Sequence, residues 1–161
     1  MRRYKKMTRI LFVCHGNICR SPMAACVMKA LVKEAGVGNA VYIDSAATSR
    51  EELGNPIYPP ARRTLQEHGI PLDGHRATQL QRQDYARYDY LVGMDGQNIA
   101  NMRRILGSDP AGKIHRLLDF AGSGADIPDP WYTGDFEATY QQVTLGCRGL
   151  LERLWPSLQS C

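Results

Sequence analysis

The strongest constraint on the fold of this 161-residue chain lies near its start. Ile10-Leu11-Phe12-Val13 is an unbroken apolar run, a polar loop follows, and Ala24, Val27, Met28 and Leu31 then recur at helical spacing. A short continuous apolar run fits a strand buried on both faces, so the order is strand, loop, helix. Val41 and Ile43 mark a second strand, Tyr90-Leu91-Val92 a third, and Ile114 to Leu118 a fourth. Between them, Pro59-Pro60 opens a helix carrying Ala61 and Leu65 that stops near Gly69. Asp95 caps a helix bearing Ile99, Met102 and Leu106, closed by Gly107 and Pro110. After a Gly-, Pro- and Asp-rich loop, Phe136, Tyr140, Val143, Cys147, Leu150, Leu151 and Leu154 trace a long amphipathic helix. The alternation predicts one α/β domain: a four-stranded parallel sheet flanked by helices on both faces, doubly wound in the flavodoxin-like manner. Sites in such sheets lie at the carboxyl ends of the strands, where the first strand delivers Cys14.

Composition excludes several classes. The net charge of +4 is mild, and much of it comes from Arg2, Arg3, Lys5, Lys6 and Arg9. Residues 1–7 therefore read as a flexible basic extension ahead of a domain spanning residues 8–161, with no nucleic-acid partner implied. No apolar stretch approaches membrane-spanning length, so no membrane insertion is expected. The five cysteines, Cys14, Cys19, Cys26, Cys147 and Cys161, are odd in number and show no metal-ligand spacing with histidines. No metal and no cofactor are expected, and a reducing cytoplasm is the natural location. Nucleotide binding is not indicated, because neither a G-x-x-x-x-G-K-[ST] loop nor a G-x-G-x-x-G turn occurs.

Cys14-His15-Gly16-Asn17-Ile18-Cys19-Arg20-Ser21 carries the chemistry. It sets a cysteine at a strand end and an arginine six residues later at a helix start. Backbone N–H groups in so short a loop can converge on an anion, and the helix N-terminus adds its positive end, which makes residues 14–20 a phosphate cradle. A positive loop of this kind favours a thiolate nucleophile. Arg20 offers a planar fork for two phosphate oxygens. Gly16 allows backbone shapes closed to other residues, and Asn17 tolerates the left-handed region. The bare C-x5-R spacing also fits a buried cysteine beside an unrelated surface arginine. The strand before it, and Ser21-Pro22 with a helix after it, favour the cradle.

C-x-G-N-x-C-R-S-P resembles the signature of the low-molecular-weight protein tyrosine phosphatases, and the likeness runs from about Arg9 to Leu154. The resemblance implies the phosphotyrosine phosphatase I type of fold and hydrolysis of phosphotyrosine through a phosphocysteine on Cys14, with Arg20 gripping the phosphoryl oxygens. It implies that Ser21 steadies the thiolate and that Ser45 and His75 join Asn17 and Ser21 in a network beneath the loop. A tyrosine leaving group, with pKa of about 10, benefits from a general acid. In Ile127-Pro128-Asp129-Pro130-Trp131-Tyr132, Asp-Pro alone is a turn signal, but the family carries its acid in a matching D-P-aromatic segment, which points to Asp129. Met94-Asp95 with Asn98 also matches a family motif; capping by Asp95 accounts for it, and no chemistry is assigned there.

The substrate cleft is expected to include Ile18, Glu51, Leu53, Trp131 and Tyr132, the two aromatics forming a wall around a phenyl ring. Where many relatives place a tryptophan after the second strand, this chain has Ser49-Arg50-Glu51-Glu52-Leu53, which removes one wall. Trp131 stands where animal members usually have tyrosine, so their regulation by tyrosine phosphorylation is not transferred. Cys19 is a candidate redox partner that would capture oxidised Cys14 as a reversible disulfide; a small packed cysteine is the alternative. The implied partner is a phosphotyrosine-containing protein, with the chain a monomer or weak homodimer. Rival readings are a thioredoxin-coupled arsenate reductase, disfavoured because no cysteine occurs from Gln79 to Asn98, and a phosphoarginine phosphatase, whose members tend to carry threonine in place of Ile18. A catalytically silent phosphate-binding or redox-sensing module is the reading from a different class.

Overall fold

The computed structural model describes residues 7–159. The expected basic extension lies outside the described residues apart from Met7, as does Cys161. The strands are β1 (Thr8–Cys14), β2 (Val41–Ala47), β3 (Tyr90–Gly93) and β4 (Ile114–Arg116). The helices are α1 (Arg20–Glu34), α2 (Pro59–Glu67), α3 (Asp84–Arg87), α4 (Gly96–Leu106), α5 (Pro130–Thr133) and α6 (Phe136–Gln159). The strands form one sheet in the order β2-β1-β3-β4, and every pairing is parallel. Among the described residues no helix is long and apolar enough to cross a membrane.

Alternation along β1 builds the two faces. Ile10 and Phe12 pack with α1, α2 and α6 residues such as Met23, Val27, Leu65, Val143 and Leu150. Leu11 and Val13 point the other way, onto Leu91, Met102 and Leu106 beside α4. Each such large side chain removed from water stabilises the fold by roughly 1.5–3 kcal/mol. The sheet is thus covered on both sides, and its central strand has no free edge.

Three local features depart from the sequence reading. The fourth strand ends at Arg116 instead of continuing to Leu118, because Leu117–Ala121 winds into a 3-10 turn that buries Leu117 and Leu118 against α6. That contact is close enough that a Cβ on Gly149 would lie 2.2 Å from the Phe120 carbonyl oxygen, and one on Gly146 2.5 Å from Leu117 Cγ. The short helices α3 and α5 were not anticipated, since four residues make barely one turn and leave no periodicity to read.

Candidate active site

Cys14 closes β1 at the carboxyl edge of the sheet, with β2 on one side and β3 on the other. The chain then loops through residues 15–19 and enters α1 at Arg20, so the two ends of the loop are held by a central strand and a core helix. Asn17 alone among the described non-glycine residues takes a positive φ, 59°. Gly16 does not occupy the left-handed region; a Cβ there would meet Glu52 Cγ at 3.5 Å and Ile18 Cγ1 at 3.8 Å, ordinary contacts. The strained position is therefore the asparagine, and its polar groups compensate for the strain.

Asn17 lies at the centre of a buried network. Its Nδ2 donates to Ser21 Oγ at 2.8 Å and to Ser45 Oγ at 2.9 Å. Its Oδ1 accepts from the Thr78 amide at 3.0 Å, and its carbonyl accepts from His75 Nε2 at 2.6 Å. The Asn17 amide points at Cys14 Sγ, 3.3 Å away. Ser21 Oγ sits 3.0 Å from the same sulfur. Because that oxygen already accepts from Asn17, its own proton is the group directed at the sulfur. Two donors thus converge on Cys14, an arrangement that stabilises negative charge there.

Arg20 is almost fully buried, its side chain 3% exposed. NH1 donates to Asp95 Oδ2 at 2.6 Å and to the Ile127 carbonyl at 2.9 Å, while NH2 lies 3.5 Å from Asp129 Oδ2. Burial works against its charge, but Cys14, the hydrogen bond to Asp95 and the nearby carboxylates outweigh it and hold the guanidinium above its ordinary range. Asp129 is the N-cap of α5, with Pro130 at the first helical position. Its Oδ1 accepts from the Trp131 amide at 3.0 Å, which leaves Oδ2 turned towards Arg20.

These groups line a cavity of about 130 Å³. Residues 14–20 form its floor, Asp129, Trp131 and Tyr132 one wall, and Glu51 and Glu52 another. Trp131 packs on Tyr58 with ring centroids 4.9 Å apart, while Tyr132 is 84% exposed at the rim. Leu53, expected in the cleft, is instead exposed and absent from the lining; the turn through residues 51–54 carries Glu52 to the cavity in its place. Glu52 Oε2 accepts from Asn55 Nδ2 at 2.6 Å, and His15 Nε2 meets Glu51 Oε2 at 3.0 Å. Asp95 does more than cap: Oδ1 accepts from the Asn98 amide at 2.7 Å while Oδ2 holds Arg20. The Asp95 contact, Glu52 and Thr78 escaped the sequence reading. Met94-Asp95 with Asn98 was the signal for the first; nothing local marks the other two.

Cys19 is buried in the same loop, and burial, followed by the charges of Cys14 and Asp129, pushes its thiol far above the ordinary range. Cys14 is thus the loop sulfur at which hydrogen-bond donors are directed, and Cys19 is held neutral.

A strand-end sulfur and a helix-start guanidinium facing one cavity are what a cysteine-dependent phosphoric monoester hydrolase requires. A family model described as low molecular weight phosphotyrosine protein phosphatase matches residues 9–160, and the chain belongs to that family. It is 40% identical over 147 residues to the low molecular weight protein-tyrosine-phosphatase YfkJ of Bacillus subtilis, covering 90% of this chain and 94% of that one. To the low molecular weight phosphotyrosine protein phosphatase of Pongo abelii it is 38% identical over 151 residues, covering 89% and 94%. The crystal structure of YfkJ superimposes with a TM-score of 0.90 over 94% of this chain and 96% of that one, at 38% identity. The Drosophila arginine phosphatase DARP gives 0.83 over 91% and 97%, at 30% identity.

Proposed function

We propose that this enzyme hydrolyses phosphotyrosine in protein substrates through a phosphocysteine on Cys14. The sulfur attacks phosphorus as the bond to the phenolic oxygen breaks, and Asp129 gives that oxygen its proton. Water then attacks the phosphocysteine, the Asp129 carboxylate takes a proton from it, and phosphate leaves as the S–P bond breaks. Arg20 and the amides of residues 14–20 bind the phosphoryl oxygens throughout. Asn17, Ser21, Ser45 and His75 hold the loop in shape, and Ile18, Trp131 and Tyr132 contact the ring. The observation that carries this reading is the convergence of Cys14, Arg20 and Asp129 on one cavity with an aromatic wall. Mere anion binding needs neither a nucleophile nor an acid.

Phosphoarginine is the rival substrate, favoured by the likeness to a protein named as an arginine phosphatase. The apolar Ile18 on the cavity floor and the exposed aromatics favour an aryl ester instead. Peptides carrying phosphotyrosine, phosphoserine or phosphoarginine, compared by kcat/KM, decide the matter. Phosphotyrosine should lead; preference for phosphoarginine would reassign the substrate, and no phosphate release from any would leave a binding module.

The same reading takes the enzyme to act in the cytoplasm as a monomer or weak homodimer. Peroxide oxidises Cys14 to a sulfenic acid, and the Cys19 thiol displaces water from it to give a disulfide. Recovery of activity with dithiothreitol after peroxide should be lower for Cys19→Ser than for the parent; equal recovery removes the Cys19 role.

A further inference from the structure

A second cavity, about 140 Å³, is built from α2 and the segments around residues 56 and 75. Its polar lining is cationic or neutral: Arg62, His75 and Arg76 contribute, and no carboxylate does. Pro56, Ile57 and Leu72 supply apolar walls. Among the described residues neither the Arg62 nor the Arg76 side chain forms an ion pair or hydrogen bond; the Arg62 amide donates to the Tyr58 carbonyl. The nearest acid in sequence, Asp73, is engaged by Lys29 at 2.6 Å. Arg62 and Arg76 are both exposed, and two unpaired guanidiniums lining one cavity repel one another, a repulsion that an anion between them relieves.

We propose that this cavity is a second oxyanion site, taking a phosphoryl group between Arg62 and Arg76, with His75 linking it to the catalytic loop. Its volume is many times the roughly 10–15 Å³ that a single water needs, which leaves room for a tetrahedral anion. Guanidiniums are suited to it because their forks bind two oxygens at once. The site is joined to the catalytic loop at two consecutive carbonyls. His75 Nε2 donates to the Asn17 oxygen at 2.6 Å, and the amide of Tyr58, next to Ile57, donates to the Ile18 oxygen at 2.9 Å. An anion here therefore holds the segments that hold the cradle. The site stands independently of the proposed reaction, since binding requires no turnover.

Equilibrium dialysis of the full chain against radiolabelled inorganic phosphate in about 0.15 M NaCl tests it, because salt at that strength screens diffuse surface attraction. The parent should bind two phosphates per chain, and Arg62→Gln/Arg76→Gln one, the retained phosphate reporting an intact fold. Methyl phosphate separates the sources: if it displaces the second phosphate, the site accepts phosphomonoesters such as a second phosphorylated residue; if not, it is selective for free phosphate, the product. One phosphate per parent chain, or two in the double variant, overturns the proposal.

Discussion

Asp95 grips Arg20 through a 2.6 Å contact between Oδ2 and NH1 while its other oxygen caps α4, so one carboxylate ties the buried guanidinium to a helix on the opposite face of the sheet. In Asp95→Asn the amide oxygen still caps, but the charge that orients Arg20 is gone. We expect kcat/KM for an aryl phosphate to fall on the order of 10–10²-fold through misplacement of the fork. Asp95→Ala should in addition lose about 0.5–2 kcal/mol of stability with the cap, read by denaturant unfolding. Unchanged kinetics in Asp95→Asn would reduce Asp95 to a cap.

Asp129→Asn tests the acid. With a tyrosine-like leaving group kcat should fall by ~10²–10⁴, and the deficit should shrink for esters of more acidic phenols, which leave without a proton. Cys14→Ser should abolish turnover. A deficit independent of the leaving group would assign Asp129 a role other than proton donation.

The two loop sulfurs should react differently. Burial raises the Cys19 thiol so far that it stays protonated at neutral pH, whereas donors from Asn17 and Ser21 face Cys14. Iodoacetate at pH 7 should alkylate Cys14 first, as read by peptide mass mapping, with Cys19 unlabelled. Labelling of Cys19 ahead of Cys14 would contradict the geometry.

Glu51 and Glu52 add two carboxylates to the lining of the cavity where the proposed substrate would bring a phosphate dianion. Glu52→Gln should raise kcat/KM about 2–5-fold for phosphotyrosine peptides with acidic neighbours, the size of an exposed charge pair, with little change for neutral ones. The gain should fade at high ionic strength. No difference between acidic and neutral peptides would place Glu52 out of reach of the substrate.

Gly149→Ala pits two effects against each other. Alanine favours a helix interior over glycine by about 1 kcal/mol, yet its Cβ would lie 2.2 Å from the Phe120 carbonyl. Backbone cannot yield as a flexible side chain does, so the clash wins, and a net loss of roughly 1–3 kcal/mol in unfolding free energy is expected from denaturant titration. A more stable variant would show that α6 and the Leu117–Ala121 turn separate freely.

Chain order alone determined the strand, loop and helix around Cys14, because apolar period and turn residues act over a few positions. It also set Cys14 and Arg20 at the two ends of one short loop, since five residues between a strand end and a helix start leave little freedom. By the family's motif it pointed to Asn17, Ser21, Ser45, His75 and Asp129, which the fold brings to one loop. Only the tertiary structure decided that Asp95 reaches Arg20, that Glu52 and not Leu53 faces the cavity, and that Leu117 begins a 3-10 turn instead of prolonging a strand. Those outcomes depend on which surfaces pack together across large sequence separations, where side-chain direction is set by neighbours in space and not by neighbours along the chain.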